Sequence, residues 1–219
     1  ISPSCDLEIA NRKFHFFQTS HNAAYSFGVA IETSKGNIVY TSDFIVDYSV
    51  KNPAYIFDLK ALAALSEKPT FLLMSESKGA TGEGYCAPKH RVTPLIEKYF
   101  KNSNKRIFIN CFWQNFFRIS EIIDLCLENN KKLFFYNDFT RQIMTMLNDF
   151  NPKRIPASIV VNKEDLLRVR EQELVILMLG EGEELYQELI KIADATNEDK
   201  RIRLNKRDIF FSYILPFLK

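Results

Sequence analysis
From residue 88 to residue 213, runs of helical period alternate with short apolar runs of strand length. This alternation restricts the chain more than any other feature of its sequence. Helices are predicted over 88–100, 114–129, 138–150, 163–170 and 182–194, and strands over 106–111, 132–136, 158–161, 173–179 and 208–213. In the helix over 138–150, Ile143, Met144 and Leu147 share one face. Strands separated by helices imply a parallel sheet, because a parallel pair needs a crossover long enough to hold one. Such a sheet is covered on both faces, which gives an α/β fold class. Ligands of such sheets gather at the carboxyl ends of the strands. There the sequence offers Gln114 with Asn115, Asn137 with Asp138, and the stretch 180–184; Glu76 follows an earlier strand in the same way.

The first part of the chain has a different rhythm. A strand-like run, 13–17, precedes His21. Two further runs, 26–33 and 37–41, are joined by the turn Ser34-Lys35-Gly36, and Asp43 follows the second. A hairpin returns its outer ends to one place, so His21 and Asp43 are expected to face one cleft. An imidazole and a carboxylate offered from strand-end loops form the geometry of two metal ligands. Residues 1–12 are mixed and give no element. A loop over 44–56 is broken at Asn52-Pro53, a helix is expected over 57–65, and a strand over 71–74 stops at Ser75-Glu76-Ser77. The turn-rich stretch 78–88, with Gly79, Gly82 and Gly84, is the expected boundary between two domains, 1–86 and 87–219.

Composition narrows the function classes. A chain of 219 residues with 46% hydrophobic residues has enough apolar material for a core. A net charge of +2 gives no field strong enough to mark a nucleic-acid binder, so such binding needs local patches. Cys5, Cys86, Cys111 and Cys126 form no C-x-x-C pair, which argues against a cysteine zinc site. Cys111 and Cys126 sit in apolar runs and read as small buried hydrophobes. Free thiols suggest an intracellular, cytoplasmic setting. No apolar run is long enough to span a membrane, so no membrane partner is expected. The first residue is Ile1 rather than Met, and the chain is read as a piece of something longer.

Several stretches have two readings. The run 200–207 (KRIRLNKR) carries five cations in eight residues. Lys200, Arg201, Arg203, Lys206 and Arg207 suit RNA phosphates, or equally a solvated edge strand guarded by charge. Phe112, Trp113, Phe116 and Phe117 are read as core rather than as base-stacking platforms. Gly180 and Gly182 before a helix suit a phosphate, but Glu181, Glu183 and Glu184 would repel one, so a tight turn with carboxylates favouring a helix N-terminus is the better reading.

The order of short motifs resembles that of ribonuclease J, in the β-CASP branch of the metallo-β-lactamase superfamily. The segment T-S-H-N-A-A-Y-S-F-G around His21 resembles the family's T-T-H-S-I-P-D-S-F-G, and V-Y-T-S-D-F at Asp43 resembles V-H-T-G-D-F. Ser75-Glu76-Ser77 stands where the family has S-D-S-T. Residues 87–92 (APKHRV) are similar to T-P-S-E-R-S-V, and 109–119 (INCFWQNFFRI) to I-V-A-T-F-A-S-N-I-Y-R-L. Leu179-Gly180-Glu181-Gly182-Glu183 is similar to T-G-S-Q-G-E without its threonine and glutamine, and 212–216 is faintly similar to S-S-R-P-I-P. Ser42 replaces the family's glycine before the aspartate, and Tyr25 replaces the aspartate of I-P-D-S.

The resemblance implies the later part of a metallo-β-lactamase sheet over 1–86 and most of a parallel-sheet β-CASP domain over 87–219. It implies a ribonuclease that binds two zinc ions and cuts RNA with a metal-activated hydroxide. His21 then matches a zinc-ligand histidine, Asp43 the carboxylate that bridges the metals, and Glu76 a catalytic acidic position. Homo-oligomers or other ribonuclease subunits are the implied protein partners. The family's H-x-H-x-D-H cluster is expected ahead of Ile1, and its last zinc histidine beyond Lys219. His15, inside a strand, and His90, at a helix start, are not placed to complete the site. The isolated chain is therefore expected to bind zinc poorly and to cut nothing. The alternative is a degenerate, non-catalytic paralogue that binds RNA or a partner in a ribonuclease complex.

Overall fold
A computed structural model of the chain describes residues 4–78, 80–85, 91–150, 155–199 and 202–213, apart from the side chain of Phe150. The chain divides into two compact units, 1–91 and 92–219. Cys86, Gly79 and His90 lie outside the described residues, as does the predicted start of the helix over 88–100.

The first unit holds one five-stranded sheet in the order β1 (Cys5–Ile9), β2 (Arg12–Gln18), β3 (Phe27–Thr33), β4 (Gly36–Tyr40), β5 (Thr70–Met74). The first four strands form an antiparallel meander, and β5 joins β4 in parallel, with a bulge opposite Asn37 and Ile38. Phe17, Ala30 and Val39 point from one face into a small core under helix α1 (Leu59–Ala64), which contributes Ala61 and Leu62; Leu65 follows it. Asp58 starts α1 by accepting the backbone N–H of Ala61 at 2.9 Å, the side-chain cap expected of an aspartate at that position.

Strand β1 falls in the stretch for which the sequence predicted no element. Its two-residue turn puts Ala10 and Asn11 at φ of 50° and 59°. Both residues have the left-handed backbone of the hairpin turns that match strand twist. The usual sequence mark of that turn is a glycine in second place, and here there is none.

The second unit is a five-stranded, wholly parallel sheet in the order β10 (Ile209–Tyr213), β6 (Ile107–Phe112), β9 (Leu174–Gly180), β7 (Lys132–Phe135), β8 (Val160–Val161). Helices α2 (Thr93–Asn102), α3 (Phe116–Glu128) and α4 (Asp138–Phe150) cover one face. There Ile96, Phe100, Ile119, Ile122 and Met144 meet Ile107, Ile109, Val175 and Leu177. Helix α5 (Gly182–Ala193) lies on the other, where Leu185 and Ile192 pack on Met178. The fold class is α/β, and this unit carries helices on both faces of its sheet.

The helix predicted over 163–170 does not form: only a 3-10 turn, Leu166–Arg168, is present. The segment is pinned between β8 and a second 3-10 turn, Glu171–Glu173, that leads into β9. Leu166 is buried, whereas Leu167 is 75% exposed. A helix that short, with so little apolar face to dock, gains too little to offset nucleation. Cys111 and Cys126 are buried free thiols, and burial pushes both thiols well above the usual cysteine range, Cys111 to about 12. Among the described residues, no helix is long and apolar enough to cross a membrane.

Candidate functional site
His21 and Asp43 come from two loops at one end of the first sheet. One follows β2 and the other follows β4. Backbone hydrogen bonds hold these loops together. Thr19 N–H donates to Ser26 O at 2.7 Å, and Ile45 N–H donates to Ser20 O at 2.7 Å. The Thr19 hydroxyl donates to Asp43 O at 3.4 Å. The two side chains meet with His21 Nε2 at 3.7 Å from Asp43 Oδ2, an ion-pair distance too long for a hydrogen bond. Both are open to solvent, His21 by 31% and Asp43 by 59% of the side chain.

This pair is chemically suited to a transition metal. Imidazole nitrogen and carboxylate oxygen are both zinc donors, and two ligands of a tetrahedral zinc at ~2.0–2.1 Å lie about 3.3 Å apart. The observed 3.7 Å separation is close to that. A catalytic zinc takes three protein ligands. Among the described residues no group of three His, Cys, Asp or Glu side chains is arranged to hold a metal. The donor set therefore fits two positions of such a site and leaves the others to be supplied.

Glu76 lies just past the end of β5. Thr41 N–H donates to Met74 O at 3.1 Å, so the ends of β4 and β5 are tied side by side. Among the described residues, no hydrogen bond or ion pair joins Glu76 to His21 or Asp43. His15 is engaged elsewhere: Nδ1 is 2.9 Å from Asp6 Oδ1 and Nε2 is 2.8 Å from Glu32 Oε1, so both ring nitrogens are occupied.

Sequence reading marked Ser42 and Tyr25 only as departures from the family motifs, without their backbone conformation, and missed Thr19 and Ile45. Ser42 takes φ of 56°, a left-handed conformation that a side chain adopts at a cost and glycine adopts freely. Tyr25 has the same φ and is fixed by its N–H donating to Ala54 O at 2.7 Å. The glycine in the resembling motif was the available signal for Ser42. No local signal marked Thr19 or Ile45, whose bonds span the hairpin.

In the second unit, an open cleft of about 920 Å³ lies at the carboxyl ends of β7 and β9. Asn137, Asp138, Gly180, Glu181 and Glu184 line it, as the strand-end reading expected, together with Trp113. Trp113 Nε1–H donates to Glu181 Oε2 at 3.0 Å, and its ring meets Phe139 edge-on at 6.2 Å. Glu181, Glu183 and Glu184 all border the opening, and Arg141, Lys163 and Lys191 line it as well. Phe117 is buried, and Trp113 and Phe116 pack against the core, as the core reading predicted.

The described part of the basic run, 202–207, precedes β10 and so lies at the amino ends of that sheet's strands. Arg203, Lys206 and Arg207 are exposed, just before β10; Lys200 and Arg201 lie outside the described residues. The run is anchored by Arg106, which donates from Nη2 to Asp208 Oδ2 and to Arg203 O, both at 2.7 Å. Arg203, Lys206 and Arg207 do not line the strand-end cleft.

Comparisons with known proteins bear on what these sites belong to. Residues 104–216 match the family model described as ribonuclease J, beta-CASP domain. The chain is 26% identical over 205 residues to Ribonuclease J 2 of Staphylococcus aureus (strain NCTC 8325), an alignment that takes in 94% of this chain and 36% of that protein. It is 27% identical over 187 residues to Ribonuclease J 2 of Staphylococcus epidermidis (strain RP62A), covering 85% and 33%. The chain thus spans about a third of the length of the curated relatives it matches. A crystal structure of a protein of unknown function from Enterococcus faecalis V583 superposes with a TM-score of 0.59 at 12% identity, over 98% of this chain and 55% of that one, a likeness of fold alone.

Proposed function
The chain belongs to the ribonuclease J beta-CASP family, and from that premise we propose that it is the central part of a zinc-dependent ribonuclease. Residues 1–86 are assigned to the later strands of a metallo-β-lactamase domain and 87–219 to most of the β-CASP domain. The observation that carries this reading is the 3.7 Å approach of His21 Nε2 to Asp43 Oδ2 from two tied strand-end loops.

His21 offers a neutral imidazole nitrogen, and Asp43 offers a carboxylate whose two oxygens can serve two cations. Glu76, at the end of the adjacent strand, is assigned the acidic catalytic position. When bound, paired zinc ions supply a water of lowered pKa and a clamp on the scissile phosphate. Exposed Arg203, Lys206 and Arg207, with Lys200 and Arg201, are assigned to RNA phosphates. The remaining metal ligands come from outside residues 1–219, so the isolated chain is inactive.

The test is metal content and RNA cleavage in a longer polypeptide from the same gene. Two zinc ions per chain, lost with cleavage in Asp43→Ala and reduced in His21→Ala, are expected. Zinc content indifferent to both substitutions would sink the assignment.

A second reading, a non-catalytic paralogue that binds RNA or a ribonuclease partner, draws on Ser42 and Tyr25. Both hold left-handed backbone where the family motifs carry other residues. The two readings part on one result: salt-sensitive RNA binding without cleavage by the longer, zinc-loaded polypeptide favours the second.

A further inference from the structure
The segment that leads into β10 carries more positive charge than its surroundings balance. Arg203, Lys206 and Arg207 are exposed there, and the single acid of 202–208 is Asp208. Asp208 is 4% exposed in its side chain and is occupied by Arg106, which donates to both of its carboxylate oxygens. Strand β6 pairs with β10, and Lys105, just ahead of β6, is exposed too. Ile209 N–H donates to Arg106 O at 3.0 Å, so the contact between the two strands reaches back as far as Arg106. The Arg106–Asp208 pair therefore sets Lys105 and Arg207, the residues just before its members, at adjacent places on the sheet edge. Among the described residues, Lys105, Arg203, Lys206 and Arg207 form no ion pair. Crowded like charges without a counter-ion favour an anionic partner.

Two features set this edge apart from a merely solvated one. Charges that guard an edge strand sit within the strand, and β10, IFFSY, has none. Beside the cations, Phe210 is 40% exposed. Its ring lies at 27° to that of Phe108, with centroids 6.4 Å apart, and the Arg106 guanidinium covers Phe108 at 5.5 Å. An exposed aromatic ring is thus held flat against a buried one, about 10 Å along the chain from Arg207. The surplus of charge is confined to β10 and β6. Ahead of β9, the next strand of the sheet, Arg168 pairs with Asp165 and Arg170 with Glu173, and Glu171 is exposed.

We infer that the amino-terminal edge of β10 and β6 docks single-stranded RNA, with Lys105, Arg203, Lys206 and Arg207 on phosphates and Phe210 under a base. Beyond the phosphate contacts assigned above, this adds Lys105, the Phe210 ring and the demand for an unpaired strand. Cations that track a backbone beside an aromatic platform are what a single strand needs. A duplex keeps its base faces inside the stack and has no use for the ring. An anionic membrane takes a ring that projects, whereas Phe210 lies against Phe108. Binding of this kind reads no base sequence and requires no metal. The choice of RNA rests on the ribonuclease reading; the site itself involves neither His21 nor Asp43.

Fluorescence anisotropy of a labelled short oligouridine with the 219-residue chain in EDTA tests it. Saturable binding that weakens with salt is expected. Each phosphate contact to a single strand adds about 0.7 to the slope of log K against log salt. Lys105→Gln, Lys206→Gln and Arg207→Gln should therefore each lower the slope by about 0.7 and weaken binding about fivefold at ~0.1 M salt. Phe210→Ala should weaken binding about tenfold with the slope unchanged, and Phe210→Tyr should retain it. Arg141→Gln, at the carboxyl end of the sheet, should change neither, and far-UV circular dichroism checks folding in each variant. Absence of binding overturns the inference, and so does a slope that none of the three glutamine variants changes. A duplex of equal length bound as tightly overturns it too, as does a chain that sediments with phosphatidylserine vesicles and leaves the oligouridine free. Tighter binding of oligothymidine than of oligouridine overturns the choice of RNA. Because EDTA removes metal, failure here counts against this edge alone, and failure of the zinc test counts against the hydrolase alone.

Discussion
Strands β5 and β9 are both uninterrupted apolar runs lying parallel to a neighbour, and they end in opposite circumstances. In β9, Leu174 through Leu179 are at most 3% exposed, held between β6 and β7 and covered on both faces. In β5, four consecutive apolar residues are about half exposed beside a single neighbour. The runs are indistinguishable by composition. An apolar run records that a strand's working environment is dry, and says nothing of which chain segment makes it so. In the second unit the described residues supply that environment; in the first, the described residues leave β5 about half exposed.

Breaking the interior of the second unit should cost most. Arg106 and Asp208 are 10% and 4% exposed in their side chains and form a two-bond pair, with Arg106 Nε 3.0 Å from Asp208 Oδ1. Asp208→Ala leaves a buried guanidinium unpaired, an expected loss of ~3–5 kcal/mol. Trp113 is the sole tryptophan and lies in this unit, so its fluorescence in urea follows that loss. Leu177→Ala should cost ~2–5 kcal/mol by the same measurement, whereas Leu73→Ala in β5 should stay within about 0.5 kcal/mol by hydrogen exchange in the first unit. Equal losses would erase the contrast between the two strands.

A smaller effect concerns Glu121. Val92 stands at the N-cap of α2, and its apolar side chain makes no capping hydrogen bond. Instead Glu121, from α3, accepts Val92 N–H at 2.9 Å and the Thr93 hydroxyl at 2.7 Å. Glu121→Ala should destabilise the second unit by ~0.5–2 kcal/mol, with exchange at the first turn of α2 rising first.

The smallest is a pH effect confined to the first unit. Partial burial lowers the pKa of His15, but hydrogen bonds to Glu32 and Asp6 outweigh it, and the net shift is upward. Stability from this imidazolium is therefore complete below the unfolded value near 6.5 and is lost as pH rises through the higher folded value. Glu32, held by Lys68 and then His15, is lowered to about 2, so its contribution is present above the unfolded value and fades as pH falls toward 2. Exchange rates in β1 and β2 should show the alkaline loss, and His15→Gln should remove it.

The parallel sheet and its helices were legible because their signals are local. Periodicity in 138–150 coincides with α4, and the alternation of runs fixed the strand direction. Strand β1 was hidden by a turn without glycine at Ala10-Asn11. The segment 163–170 has helical composition but is held by its neighbours. Glu121 lies 29 residues from the N–H it caps, a separation no window detects. The approach of His21 to Asp43 was readable because one hairpin joins them. The bonds from Thr19 and Ile45 that fix their loops were not.

The strand order in the second unit has a consequence during synthesis. Strands β6 and β7 leave the ribosome in turn but are not neighbours; β9 arrives about forty residues after β7 and must enter between them. At a translation rate of ~5–20 residues per second, β6 and β7 wait for seconds with their inner edges unpaired. The nascent chain is thus most vulnerable to mispairing before Leu174 emerges, and slower decoding of residues 136–174 would lengthen that hazard more than slowing anywhere later.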